Sequence, residues 1–185
     1  MSDPVSALGG GSFDGFASIR EVGPLGMITL RAKPEVKGLA AAVKAAVGTG
    51  LPAVRRIEVQ GTKAAAWMSP DEYLLILPLA EVGKALALLD KGLKGNHYLA
   101  VDVSDARAVF RIEGAKADQV LAKLCPVDLA AMAPGEVRRT RAAQVAVAFW
   151  REGAGYSLVS FRSVAGYVMG LLTHSAQPGS ELDAG

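Results

Sequence analysis

Apolar positions along the chain alternate between two periods, and the alternation repeats. In "GMITLR", residues 26–31, Ile28 and Leu30 fall on one side of an extended segment; Pro34 then opens a stretch with Val36, Leu39, Ala40, Val43 and Val47 at helical spacing. "GTGLP", 48–52, ends that helix. Three extended runs follow, "VRRIEV" 54–59, "KAAAWM" 63–68 and "EYLLIL" 72–77, with Ser69-Pro70-Asp71 as the hairpin turn between the last two. Leu79, Val82, Leu86 and Leu89 mark a second amphipathic helix, opened by Pro78 and closed before Gly92. The unit reads β-α-β-β-β-α.

The same series returns after "HYLAVDVSD", 97–105. "AVFRIEG", 108–114, is a strand, and Ala117, Val120, Leu121 and Leu124 form a helix face broken by Pro126 and "MAPGE", 132–136. "AAQVAVAFW" then meets "YSLVSF" across Arg151–Gly155, and Val164, Val168, Leu171 and Leu172 give a last helix. Trp67 to Trp150, Tyr73 to Tyr156 and Leu75 to Leu158 share an offset of 83 residues, while Leu39 to Leu121 needs 82. Rare residue types in a Trp-x5-Tyr-x-Leu spacing carry the comparison, so an internal duplication is expected. Two units are too few for a solenoid, which takes three or more.

The expected architecture is therefore α+β, two interlocked pseudo-symmetric halves burying sheet faces and helices against each other in one compact domain. Its expected parts are a flexible N-terminal tail 1–15, a first half 16–97, a second half 98–175 and a flexible C-terminal tail 176–185. Trp67 with Tyr73 and Trp150 with Tyr156 are expected as cross-strand aromatic pairs of the scaffold, each adding roughly 0.2–1 kcal/mol.

Composition narrows the function classes. At 185 residues the chain can bury roughly 70% of its unfolded surface. Twenty basic against eighteen acidic residues give +2, which argues for neither a nucleic-acid nor an anionic-membrane partner. The one cysteine, Cys125, excludes an internal disulfide and fits a reducing cytoplasm. The longest uncharged apolar stretches fall well short of the ~18 residues of a membrane span, and no export signal stands out. Yet 51% of residues are apolar and the mean hydropathy is +0.28, an oily balance that suits either an Ala-rich sequence from a high-GC genome or a chain partly covered by another protein.

Candidate chemistry is sparse. "LGGGSFDGF" near the N-terminus lacks the preceding strand and following Lys-Ser/Thr of a phosphate loop, and no G-x-G-x-x-G stands between a strand and a helix. His97 and His174 lie too far apart in sequence to suggest a ligand pair, so no metal ligands are expected. Cys125, before Pro126 at the end of an apolar helix face, reads as a small buried hydrophobe rather than a nucleophile. Asp71 and Glu72 serve a turn; Asp102 and Asp105 flank Ser104, with Arg107 as a local ion partner or cap contact. In "VRRTR", 137–141, an extended backbone puts Arg139 and Arg141 on one face and Arg138 on the other, a solvated or partner-facing edge. No catalytic, cofactor-binding or metal-binding residue is expected.

"AWMSPDEYLLILP", "DVSDARAVFRIEGAKADQVLAKLCPVDL" and "RTRAAQVAVAFWREGAGYSLVSFRSVAGYVMGLL" resemble, in that order, the gamma subunit of heterotetrameric sarcosine oxidase, over about residues 55–173. The resemblance implies the fold of the folate-binding domain of the glycine-cleavage T-protein. It also implies a non-catalytic companion of alpha, beta and delta subunits that together oxidise sarcosine to glycine. FAD, FMN, NAD, tetrahydrofolate and zinc are then expected on those partners and no cofactor on this chain. The rival is a stand-alone folate-binding one-carbon module or aminomethyltransferase. Against it, "RTRAAQVAVAFW" contains no carboxylate where T-proteins carry acidic residues, and Cys125 lies in "KLCPVDL" rather than the K-G-C-Y-x-G-Q-E of folate-dependent iron–sulfur repair proteins.

Overall fold

The computed structural model describes residues 5–182. In chain order the elements are β1 (Ser12–Asp14), β2 (Ser18–Val22), β3 (Gly26–Arg31), α1 (Leu39–Val47), β4 (Ile57–Gln60), β5 (Lys63–Ser69), β6 (Glu72–Leu77) and α2 (Val82–Leu93). They continue as β7 (Leu99–Asp102), β8 (Arg107–Glu113), α3 (Ala117–Ala122), β9 (Val137–Ala142), β10 (Val145–Glu152), β11 (Gly155–Phe161) and α4 (Ala165–Ser175). The strands from 26–31 onward fall where the apolar patterning puts them, except that β4 begins at Ile57 rather than Val54, because Val54 and Arg55 form a turn in which Arg55 takes a φ of +60°. Helix α1 begins at Leu39 rather than Val36, because Gly38 takes a left-handed φ of +85° that a right-handed helix cannot propagate.

The chain divides into two compact units. Pro24–Ser104 forms one; among the described residues, 5–23 and 105–182 form the other. The first holds a five-stranded sheet in the order β4-β5-β6-β3-β7, the second a six-stranded sheet in the order β1-β2-β8-β11-β10-β9, with antiparallel pairing throughout. Each unit has its own apolar core. In the first, Leu39, Val43 and Val47 of α1 and Leu89 and Leu93 of α2 cluster with Ile28, Leu30, Tyr73 and Leu75. In the second, Val120 and Leu121 of α3 and Val168 and Leu172 of α4 cluster with Ile19, Phe110, Ile112, Phe149 and Leu158. Each half thus holds a core between one face of its sheet and its own two helices.

The interlocking arises from exchanged strands. Strand β2 directly precedes β3 but pairs with β8, Ser18 opposite Glu113 and Val22 opposite Val109. Strand β7 directly precedes β8 but pairs with β3, Ile28 opposite Asp102 and Arg31 opposite Leu99. Each repeat therefore starts one strand earlier than its periodicity shows, and lends that strand to the other repeat's sheet. The unit boundaries fall at 23/24 and 104/105 rather than at 97/98 for this reason.

The segments read as tails are tied down over their described parts; residues 1–4 and 183–185 lie outside the described residues. Glu21, only 2% exposed, accepts hydrogen bonds from Ser6 Oγ at 2.9 Å, from the Leu8 N–H at 3.0 Å and from the Gly10 N–H at 3.0 Å. A buried carboxylate answered by this many donors fixes the loop that supplies them. At the other end, the Lys123 ammonium donates to Ser175 O at 2.8 Å, to Ser180 Oγ at 3.0 Å and to Ser180 O. Gln119 Oε1, one turn away on α3, accepts from the Leu182 N–H at 2.9 Å.

The aromatic repeat holds in one copy only. Trp67 faces Tyr73 across the β5–β6 hairpin and packs on the core of its unit. In the second hairpin Trp150 faces Ser157, and Tyr156 faces Arg151. Phe149 occupies the core position instead, its ring centroid 5.9 Å from that of Tyr156 at an interplanar angle of 79°. A bulge between Trp67 and Ser69 in the first hairpin makes the difference. Side chains alternate with period two, so one residue of slip turns Trp150 to the opposite sheet face.

Candidate functional site

Asp71, Asp102 and Arg107, singled out by sequence, are engaged in local structure. Asp71, in the β5–β6 turn, pairs with the Arg31 guanidinium at 2.8 Å and accepts from Ser69 Oγ at 3.1 Å. The Arg31 hydrogen bond holds its carboxyl below the usual carboxylate range. Asp102 Oδ1 accepts from the Ser104 N–H at 2.9 Å and from Ser104 Oγ at 2.6 Å, while that same hydroxyl oxygen accepts from the Met27 N–H at 3.0 Å. These contacts stitch the end of β7 to the start of β3. Arg107 stacks over the Phe161 ring, 4.1 Å from its centroid. Asp105 lies beside a shallow, open hollow with Ala106, Phe161, Arg162 and Ser163.

Cys125 is 5% exposed within the core that holds Val120 and Leu121. Burial pushes its thiol up to about 12, which leaves almost no thiolate near neutral pH. His97 and His174 are both exposed and belong to different units. Among the described residues no group of three or more His, Cys, Asp or Glu could hold a metal ion. The alternation expected along 137–142 is present: Arg139 and Arg141 are exposed, while Arg138 turns to the other face and meets Glu136 at 3.0 Å. Strand β9 is an edge of the six-stranded sheet.

Four charged groups that sequence patterning did not single out organise the second unit. Arg111, largely buried, contacts Glu152 at 2.8 Å, Glu113 at 3.0 Å and Ser157 Oγ at 3.1 Å. Arg162 donates to Val5 O at 2.8 Å and Ser6 O at 3.2 Å, closing from outside the loop that Glu21 holds from within. Lys123 secures the C-terminal segment. The sequence signal for Glu21 and Arg111 was a charge placed inside an extended run, where burial demands partners. The partners of Glu21 lie 11 to 15 positions away, and those of Arg111, apart from Glu113 two positions on, lie 41 and 46 positions away.

The family model described as the sarcosine oxidase gamma subunit family matches residues 31–177. A sarcosine oxidase subunit gamma from Corynebacterium sp. (strain P-1) is 37% identical over 152 residues, covering 80% of this chain and 73% of that protein. Among solved structures, a chain of the heterotetrameric sarcosine oxidase from Corynebacterium sp. U-96, solved with pyrrole 2-carboxylate, superposes with a TM-score of 0.78 at 31% identity, covering 86% of this chain and 83% of that one. The glycine cleavage system aminomethyltransferase T from Bartonella henselae superposes with a TM-score of 0.62 at 12% identity over 85% of this chain and 45% of that one. At that identity the likeness is one of fold, and it agrees with the two-sheet α+β architecture.

Proposed function

The chain belongs to the sarcosine oxidase gamma subunit family, and from that premise we propose that, as the gamma subunit of a heterotetrameric sarcosine oxidase, it serves assembly rather than chemistry. It joins alpha, beta and delta subunits, which oxidatively demethylate sarcosine to glycine in the cytoplasm and carry FAD, FMN, NAD, tetrahydrofolate and zinc. The observation that supports the non-catalytic part is the state of its most reactive side chain. The Cys125 thiol is buried and pushed up to about 12, and Asp71 and Asp102 are engaged at the ends of strands.

The T-protein fold raises the question of a folate site on this chain. The residues present do not fit one. The β9–β10 hairpin from Arg139 to Trp150 carries no carboxylate to set beside a folate, and its Ala142, Val147 and Phe149 side chains are packed into the unit's own core.

Co-expression with the three companion subunits, followed by native mass measurement, tests the proposal. The expected result is one particle containing all four chains. A chain that purifies alone in their presence defeats it. Calorimetry of the purified chain with tetrahydrofolate should give no saturable heat, and saturation in the micromolar range would favour the one-carbon module instead.

A further inference from the structure

We propose that the outer edge of β7, at the end of the five-stranded sheet, receives an extended apolar segment of a companion subunit as a further strand. This rests on the subunit reading above and adds the place and chemistry of the contact.

The two sheets match strand for strand except at one end. Ile112 of β8 lies between Tyr156 of β11 and Ile19 of β2, as Leu30 of β3 lies between Tyr73 of β6 and Ala100 of β7. Tyr73 and Tyr156 hold equivalent places in the repeat, so Ala100 corresponds to Ile19 and β7 to β2. Strand β2 is covered on its far side by β1, whose Phe13 stands opposite Ile19 and packs on the core of that unit. Among the described residues no strand pairs with β7 on the corresponding side.

The main chain of Ala100 is turned to that side. The Val103 N–H donates to Met27 O at 2.8 Å. Bonding direction alternates along an antiparallel strand, so Val101 and Leu99 bond to β3 while Ala100 points its N–H and carbonyl outward. Ile19 is placed in the same way, since the Glu21 N–H, two residues on, donates to Gly11 O at 2.9 Å beside β1. Edge strands are commonly blunted by basic side chains, proline or a bulge. Edge strand β9 carries Arg138, Arg139 and Arg141. Strand β7, Leu-Ala-Val-Asp, has none of these devices, and its register with β3 runs unbroken from Leu99 to Asp102. Leu99 and Val101 are 53% and 41% exposed where β2 has Ser18 and Arg20.

These features select the occupant. Outward N–H and carbonyl groups on an extended edge are matched by an extended main chain. Ala100 packs on the helix-covered face of its sheet, and the neighbour that corresponds to Phe13 there is a large apolar side chain. On the opposite face Leu99 and Val101 favour apolar neighbours, and the one charged side chain of β7, Asp102, is already bonded to Ser104. A second copy paired about a two-fold centred on Ala100 would set alanine against alanine, where the other sheet sets phenylalanine against isoleucine.

The test uses the four-subunit complex reconstituted from the full chain. Ala100→Pro removes the outward N–H without touching a bond to β3, a change that an edge strand tolerates, and should weaken association about tenfold or more. Leu99→Lys with Val101→Lys, which places two charges on the edge and leaves its main chain intact, should weaken it by a similar factor. The lysine pair should melt like the parent in isolation and decides the matter if the proline variant does not fold. Val59→Lys, at an exposed position of the opposite edge strand β4, should assemble normally. Amide-resolved hydrogen exchange should show the Ala100 N–H exchanging freely in the isolated chain and about a hundredfold more slowly in the complex. If the wild type assembles, the edge variants do so equally well and the Ala100 amide stays unprotected, the docking edge is overturned while the subunit reading stands. If the wild type does not join its companions, both fall. Self-association of the isolated wild type abolished by Leu99→Lys with Val101→Lys would make a second copy the occupant and overturn the proposal.

Discussion

Gly155 begins β11 at the point where the second hairpin returns to the centre of its sheet, and replacing it with alanine probes how closely the repeat is built. A Cβ there would lie 2.1 Å from the Ile112 carbonyl oxygen and 3.1 Å from Glu113 Cα. A close carbon–oxygen contact needs about 3.3 Å, so β8 and β11 must part by roughly 1 Å at a position where Tyr156 pairs with Ile112. Both of those residues are buried in the core. Overpacking costs about 1–3 kcal/mol, and a disrupted neighbouring ladder bond adds about 1 kcal/mol. A loss of about 3 kcal/mol should lower Tm by roughly 6–12 °C in a chain of this size. Gly170→Ala is the matched control: it adds the same methyl group inside α4 where nothing lies within 4 Å. It should raise stability by about 0.5–1 kcal/mol. Scanning calorimetry of both variants measures the pair. A Gly155→Ala protein that melts within roughly 2 °C of the parent would refute the close strand approach.

Two further outcomes follow from the charged and thiol groups. Since the folded Asp71 carboxyl is held below its unfolded value by Arg31 and Ser69, its contribution to stability is complete above about pH 4 and is lost as pH falls through the folded value. Thermal melts in acid should therefore show a smaller pH dependence for Asp71→Asn than for the parent, and identical slopes below pH 4 would contradict the pairing. Cys125, with its thiol pushed up to about 12 and 5% exposed, should resist alkylation at pH 8 in the native chain and react at once in denaturant. Rapid native labelling would reopen it as a nucleophile.

The strand-helix alternation, the β5–β6 turn at Pro70-Asp71 and the opposite faces of Arg138 and Arg139 were legible in sequence. All three depend on local periodicity and turn chemistry, which act over a few residues. The candidate site was legible chiefly as a lack of ligand sets. The shared face of Arg139 and Arg141 followed from the pattern, but the stacking of Arg107 on Phe161 required the register of β8 and β11. "SIREV" at 18–22 passed unread as a strand because Glu21 interrupts its apolar side, and only Ser6, Leu8 and Gly10 show why a carboxylate can be buried there.

By itself, then, the sequence determined that two like halves of α+β type exist and where most of their strands and helices run, because each element's apolar face is written in its own spacing. Which sheet β2 and β7 join was decided only by the tertiary structure. A strand's partner depends on which edge is open to it after the rest of the sheet has formed, and that pairing joins residues about 70 to 95 positions apart. The face taken by Trp150 was decided there as well, since a one-residue bulge in the matching hairpin leaves the sequence spacing intact while reversing the side of the sheet on which its counterpart stands.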